Sequence, residues 1–189
     1  MNYIDEINNY VPKDEQEIQD KKVMLNCIEL FPHNILLRDN EIAHITSSGF
    51  VLNESLSKCL MIHHNIRNSW AWTGGHADGN PDLLAVAIRE AFEESGIVVT
   101  PISSSIASID ILSVFRHFKG EKYINSHLHL NIAYLFIAND TEKTTVKPDE
   151  NSKVEWFPIE RINPELFTDR DVYLYKKLVK QARVWLGKE

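Results

Sequence analysis

Only two cysteines, Cys27 and Cys59, occur among 189 residues, and no C-x-x-C spacing joins them. A disulfide framework and a thiolate zinc site are therefore not expected. No apolar run reaches the roughly 20 residues that cross a bilayer. The opening MNYIDEINNY has neither the basic nor the apolar region of a secretion signal. These absences predict a cytoplasmic protein with no membrane contact. Positive charge is also scarce: 20 Lys and Arg face 27 Asp and Glu, a net charge of −7. Nucleic-acid binders present a basic face, so no nucleic-acid partner is expected. An anionic substrate would instead need a metal and local cations to be accepted.

What is present fits one soluble domain. Apolar residues make up 43% and charged residues 25%, ordinary values for a chain long enough to bury a core. The most informative stretch is 75–97, which reads G-HADGN-PDLLAVAI-RE-A-F-EE-S-G-I. Glu90, Glu93 and Glu94 stand at i, i+3 and i+4 of a helical run and are expected to project from one side. Each like-charged pair costs roughly 0.2–0.5 kcal/mol. The helix dipole disfavours anions in the last turn before Gly96. Arg89 can pair with Glu93 at i+4, in the less favourable order. A solvated acidic helix end would explain this; so would a bound divalent cation. The glycine frame favours the cation. Gly74-Gly75 forms a turn that allows close backbone approach, and Gly96 stops the helix. Asn80-Pro81 supplies the N-cap and first helical position, with Asp82 in the first turn. Leu84, Ile88 and Ala91 then form an apolar face roughly opposite the acids.

This stretch resembles the Nudix box, G-x5-E-x7-R-E-U-x-E-E-x-G-U, with U a bulky aliphatic. Gly75, Arg89, Glu90, Glu93, Glu94, Gly96 and Ile97 fall on the pattern. Pro81 stands where the first glutamate belongs, so that role is either absent or shifted to Asp82. Ala91 is small for a U position. The resemblance implies an α/β fold of Nudix type, an α/β/α sandwich with a mixed sheet. It also implies Mg²⁺ as cofactor, with Mn²⁺ as the alternative ion, held by Glu90, Glu93, Glu94 and the Gly74 carbonyl. Glu93 is the implied general base, although Glu90 serves in some members, and Arg89 would fix the acids. The implied activity is hydrolysis of a phosphoanhydride in a nucleoside diphosphate linked to another moiety, such as ADP-ribose, or in a nucleoside triphosphate. The implied partner is therefore a nucleotide-type small molecule, and a homodimer is the assembly common in the family.

Along the chain, residues 1–40 read as a helical extension to a domain over 41–189. Its single amphipathic helix covers about 13–31, where Ile18, Val23, Met24, Cys27, Ile28 and Phe31 recur near helical spacing. Residues 44–52 and 59–63 read as a hairpin, 69–73 as a short strand entering the glycine turn, and 107–118, 127–138 and 154–157 as later strands. A closing helix spans about 171–186.

Outside the box, His127 and His129 share one face of a strand and could meet phosphate or a ribose hydroxyl. His76 follows Gly75 directly and is a candidate substrate contact. Arg67, Arg116 and Lys119 are candidate cations for a distal phosphate. Glu150 and Glu155 are the two candidates for a further carboxylate. Trp70 and Trp72 either stack a base or sit in the core. Two other readings compete with hydrolysis: a Nudix-like nucleotide-binding sensor that catalyses nothing, and an isopentenyl diphosphate isomerase of related fold. The sensor reading is weakened by all three box acids being present. The isomerase implies a catalytic cysteine near the turn, whereas Cys59 lies well before it.

Overall fold

Two helices, α1 (Tyr3–Asn9) and α2 (Glu15–Leu30), lead into the sheet in the computed structural model, which describes residues 2–188. The order continues β1 (Ala43–Asn53), β2 (Lys58–His64), β3 (Ser69–Ala71), β4 (Thr73–His76), α3 (Leu83–Ser95), β5 (Thr100–Pro101), β6 (Ser108–Val114), β7 (His117–Lys119), β8 (Lys122–Ile124), β9 (His127–Ala138) and β10 (Asn151–Pro158), closing with α4 (Asp169–Trp185). Every residue of β1 is buried, and β1 runs parallel to β9 along its whole length, from Ala43 opposite Leu128 to Asn53 opposite Ala138. A parallel pair needs both faces covered, and here both are. On one face Ile45, Leu130 and Ile132 meet Leu83, Ala87 and Ala91 of α3 and Met24 and Ile28 of α2. On the other, Phe50, Leu52, Ala133 and Leu135 meet Leu174, Tyr175, Leu178 and Ala182 of α4.

The strands run β10-β2-β1-β9-β5, with β3 added to β2, β4 to β1 and β6 to β9. This is the mixed-sheet α/β/α sandwich expected from the sequence. The 44–52/59–63 hairpin is present, with Leu52 opposite Cys59. No helix among the described residues is long and apolar enough to cross a membrane.

Residues 2–40 pack against the rest of the chain. Ile7, Met24, Ile28 and Ile35 join the core on the α3 side. Glu17, on α2 and fully buried, accepts from the Tyr10 hydroxyl (2.7 Å), the Lys13 N–H (2.8 Å) and Ser108 Oγ (3.1 Å). Its carboxylate also pairs with Lys177 of α4 at 2.9 Å, and Lys177 reaches Asp110 of β6 at 3.0 Å. One buried ion network thus ties α2, β6 and α4 together.

Three local readings need correction. Gly74 and Gly75 lie inside β4, opposite Ser48 and Ser47 of β1, rather than in a turn. α3 begins at Leu83, because Asp82 is its N-cap and accepts from the Ala85 N–H at 2.9 Å; Asn80 caps the turn before it, accepting from the Asp82 N–H. The seven-residue α1 was not foreseen, since it buries only Ile7 and so carries almost no periodic signal.

Candidate active site

The buried face of α3 runs along Leu83, Val86, Ala87 and Ala91 rather than along Leu84 and Ile88. Leu83, Val86, Ala87, Glu90, Ala91 and Glu94 are buried, while Leu84 and Ile88 are only partly covered. Two of the three acids therefore lie on the sheet-facing side, and only Glu93 faces outward, its side chain 41% exposed. The glycines make this possible. A Cβ on Gly75 would overlap the Glu90 carboxyl, and one on Gly74 would overlap Ser48. The absence of both leaves a cradle in which the Gly74 N–H donates to Glu94 Oε2 at 2.9 Å.

Burial sets the protonation of these acids. It pushes the Glu94 carboxyl up to about 8, helped by the Glu90 and Glu150 charges and resisted by the Gly74 hydrogen bond. Burial also raises Glu90, with Arg89 offsetting part of the effect. Arg89 donates to Glu90 Oε1 at 2.7 Å and stands 3.6 Å from Glu93 Oε1, so it holds two acids at once. Lys147, on the loop before β10, lies 3.0 Å from Glu93 and 3.1 Å from Glu150. Glu150 is therefore the fourth carboxylate of the cluster. Glu155 is exposed on β10, opposite Met61. Four carboxylates share two cationic side chains. The donor set is all oxygen, with one carboxyl that burial leaves short of charge compensation. That set suits a hard divalent cation.

A second group of side chains lies on the other face of β4, since consecutive strand residues alternate. His76 pairs in register with Thr46, and His44 with His129. The rings of His44, His76, His127 and His129 come together, with the His44 centroid 5.0, 4.9 and 5.0 Å from those of His76, His127 and His129. Burial holds His76 down at about 3 and His129 at about 2, and it lowers His44 as well. His127 and His129 share a face of β9, as the strand reading expected; that His76 would join them, away from the acids, was not foreseen, and neither was His44. Its partnership with His129 depends on strand register, which no single stretch of sequence encodes.

Other candidates go elsewhere. Arg67 pairs with Asp171 of α4 at 3.5 Å, and among the described residues no ion pair joins it to α3. Arg116, before β7, and Lys119, within it, are both exposed; the strand expected over 107–118 ends at Val114, and β7 turns back to pair with β8. Trp72 is core, its ring 5.6 Å from Tyr175, and Trp70 stands 4.7 Å from Phe157. Cys59 is fully buried and its thiol is pushed up to about 12 by burial, the opposite of what a reactive thiolate needs. A missed cation, Arg38, forms a bidentate pair with Asp78 in the HADGN loop.

A mixed α/β/α sandwich with glutamates buried against a strand of paired glycines defines the class. The NUDIX domain family profile matches residues 43–178, well over half of the chain, and the chain belongs to that family. It is similar to mRNA-decapping enzyme subunit 2 of Saccharomyces cerevisiae, at 24% identity over 140 residues, covering 72% of this chain and 13% of the yeast protein. The Arabidopsis thaliana mRNA-decapping enzyme subunit 2 shares 26% over 121 residues, covering 62% of this chain and 29% of that protein. The chain thus spans about an eighth to under a third of these relatives' length. Among solved structures, a NUDIX-family hydrolase from Clostridium perfringens superposes with a TM-score of 0.52 at 19% identity, covering 72% of this chain and 96% of that one. A MutT protein from Methanosarcina mazei Go1 gives 0.50 at 19%, covering 79% and 99%. These structures share the fold.

Proposed function

We propose that the chain is a pyrophosphohydrolase that cleaves a phosphoanhydride in a nucleoside diphosphate derivative, with Mg²⁺ or Mn²⁺ held by Glu90, Glu93, Glu94 and the Gly74 carbonyl. The observation that carries this reading is the pair Glu90 and Glu94, buried in the Gly74–Gly75 cradle in excess of the cations around them. A divalent cation bound there would neutralise phosphoryl oxygens and lower the pKa of a bound water. The protein's own part is positional. Arg89 keeps Glu90 and Glu93 in place, and the rigid cradle fixes Glu94. Glu93, the most accessible of the three, takes the proton from the attacking water. The water oxygen bonds to phosphorus, the bridging P–O bond breaks, and two phosphorylated products leave. Lys147 trades its contact with Glu93 for one with the substrate phosphate or solvent. Arg38, which feels the charges of Glu90 and Glu150, is the better candidate cation for the substrate; Arg67 is engaged with Asp171, and His76 lies on the opposite face of β4 from Glu90.

A second reading concerns the substrate. The yeast and Arabidopsis relatives are named for mRNA decapping, and one for m7GpppN-mRNA hydrolysis. A capped RNA end is itself a phosphoanhydride flanked by nucleosides, so the same site suits it.

The test is Mg²⁺-dependent cleavage across nucleoside diphosphate derivatives, triphosphates and a capped dinucleotide, with Glu93→Gln alongside and products identified by mass. Cleavage of one compound, lost in Glu93→Gln, supports the reading and names the substrate. Binding of metal and nucleotide without cleavage would replace it with a nucleotide sensor.

A further inference from the structure

The geometry points to a second metal site, built from His44, His127 and His129 and suited to a divalent ion of the zinc class rather than to Mg²⁺. One ring nitrogen from each of these residues lies within 4.8 Å of the others. Three features beyond proximity support a ligand role.

The first is tautomer control. His44 Nδ1 lies 2.9 Å from the Asn40 carbonyl, and His127 Nδ1 lies 2.8 Å from the Asn125 carbonyl. A carbonyl only accepts, so each Nδ1 carries the proton and each neutral ring presents its Nε2 lone pair. Outer hydrogen bonds of this kind orient metal-binding imidazoles.

The second is an unpartnered atom. His44 is 4% exposed, yet its Nε2 has no hydrogen-bond partner among the described residues. A buried acceptor left unpaired costs on the order of 1–3 kcal/mol, and a cation would remove that cost.

The third is spacing. His127 Nε2 and His129 Nε2 are 3.2 Å apart. In a tetrahedral site with Zn–N of about 2.0–2.1 Å, two ligand nitrogens stand about 3.3–3.4 Å apart. Without metal, a proton on His129 Nε2 bridges this pair. On metal binding that proton moves to His129 Nδ1, and the number of protons on the three rings does not change. The widest ligand pair has to close by at most about 1.5 Å to reach tetrahedral spacing.

Neutral imidazoles select borderline transition ions, while Mg²⁺ prefers oxygen. His76 stands beside the site, its ring centroid 4.9 Å from that of His129, and is placed to complete the coordination or to leave it open to water. The Arg38 charge that faces the cluster is offset by Asp78. Strand alternation puts the site on the opposite face of β4 from Glu90. It joins the starts of β1 and β9, two strands distant in sequence. The inference does not depend on the hydrolase reading.

The test uses the full chain, stripped with chelator and then held in excess Mg²⁺ to occupy the acids. Zn²⁺ binding is followed by calorimetry and by long-range ¹⁵N NMR of labelled histidines, for the wild type, His127→Gln and Glu93→Gln. The expected result is one Zn²⁺ per chain, at least tenfold weaker in His127→Gln and unchanged in Glu93→Gln, with the Nε2 resonances of His44, His127 and His129 shifting together. Zn²⁺ that is displaced by Mg²⁺, or that leaves these resonances unmoved in the wild type, would overturn the proposal even if the histidine variant failed to fold.

Discussion

Two clusters of buried charge in this molecule look alike in composition and differ in how they are compensated. In the Glu17–Asp110–Lys177 network, both oxygens of Glu17 have partners and one ammonium serves two carboxylates at 2.9 and 3.0 Å. Burial alone would lower Lys177, but Asp110 and Glu17 outweigh it and hold its pKa up, so the ion stays charged and the helices stay joined. The α3 cluster is left open. Glu94 has a single backbone donor, and burial lifts its carboxyl to about 8. Burial raises Asp110 too, but Lys177 and Ser108 offset part of the effect from within the fold; in the α3 cluster the proposed cation would supply that offset. A perturbed buried carboxyl is a candidate functional group where, as at Glu94, no side-chain cation is paired with it.

The largest effect expected from breaking this contrast is in the finished cluster. Glu17→Ala leaves Lys177 short of a partner and should cost about 3–5 kcal/mol of stability. A chemical denaturation curve measures it, and Mg²⁺ should not restore the loss. Next is Gly75→Ala. Its Cβ displaces the Glu90 carboxyl, and misplacement of that order should lower turnover about 10²-fold with little change in the apparent affinity for substrate. Steady-state kinetics separates the two parameters. A smaller effect is predicted for Lys147→Met, which removes the ammonium shared by Glu93 and Glu150. The Mg²⁺ concentration for half-maximal activity should fall about threefold, as expected when an exposed pair worth under about 1 kcal/mol stops competing with the metal. The smallest concerns Pro81, which is exposed and precedes the Asp82 cap. Pro81→Glu should leave turnover within about twofold, a change below about 0.4 kcal/mol; a clear rise would show that the box position matters here.

The sequence carried the R-E-x-x-E-E spacing, the glycine pair and the central strands, because each is a short-range pattern. It misread which face of α3 is buried. The face drawn through Leu84 and Ile88 passed over Leu83, Val86 and Ala87, and no periodicity registers the space that Gly74 and Gly75 leave for Glu90 and Glu94. Lys147 and Arg38 reach their partners from loops distant in sequence, and isolated basic residues in loops look like solvated ones. Glu150 and Glu155 were indistinguishable until β10 placed one beside Lys147 and the other in solvent. His44 became visible only through its parallel register with His129.

The most direct measurement of the central claim is thermal stability of the metal-free protein and its Glu94→Gln variant, at pH 5 to 8.5, with and without Mg²⁺. The folded-state pKa of Glu94 is raised, so its contribution to stability is full below the unfolded value and is lost as pH climbs through about 8. Without metal, Glu94→Gln should therefore melt higher than the wild type, by about 2–4 °C per kcal/mol relieved, with the gap widening toward pH 8. Mg²⁺ should raise the wild type and reverse the order. A variant that melts lower than the wild type without metal, or that responds to Mg²⁺ as strongly, would contradict the account.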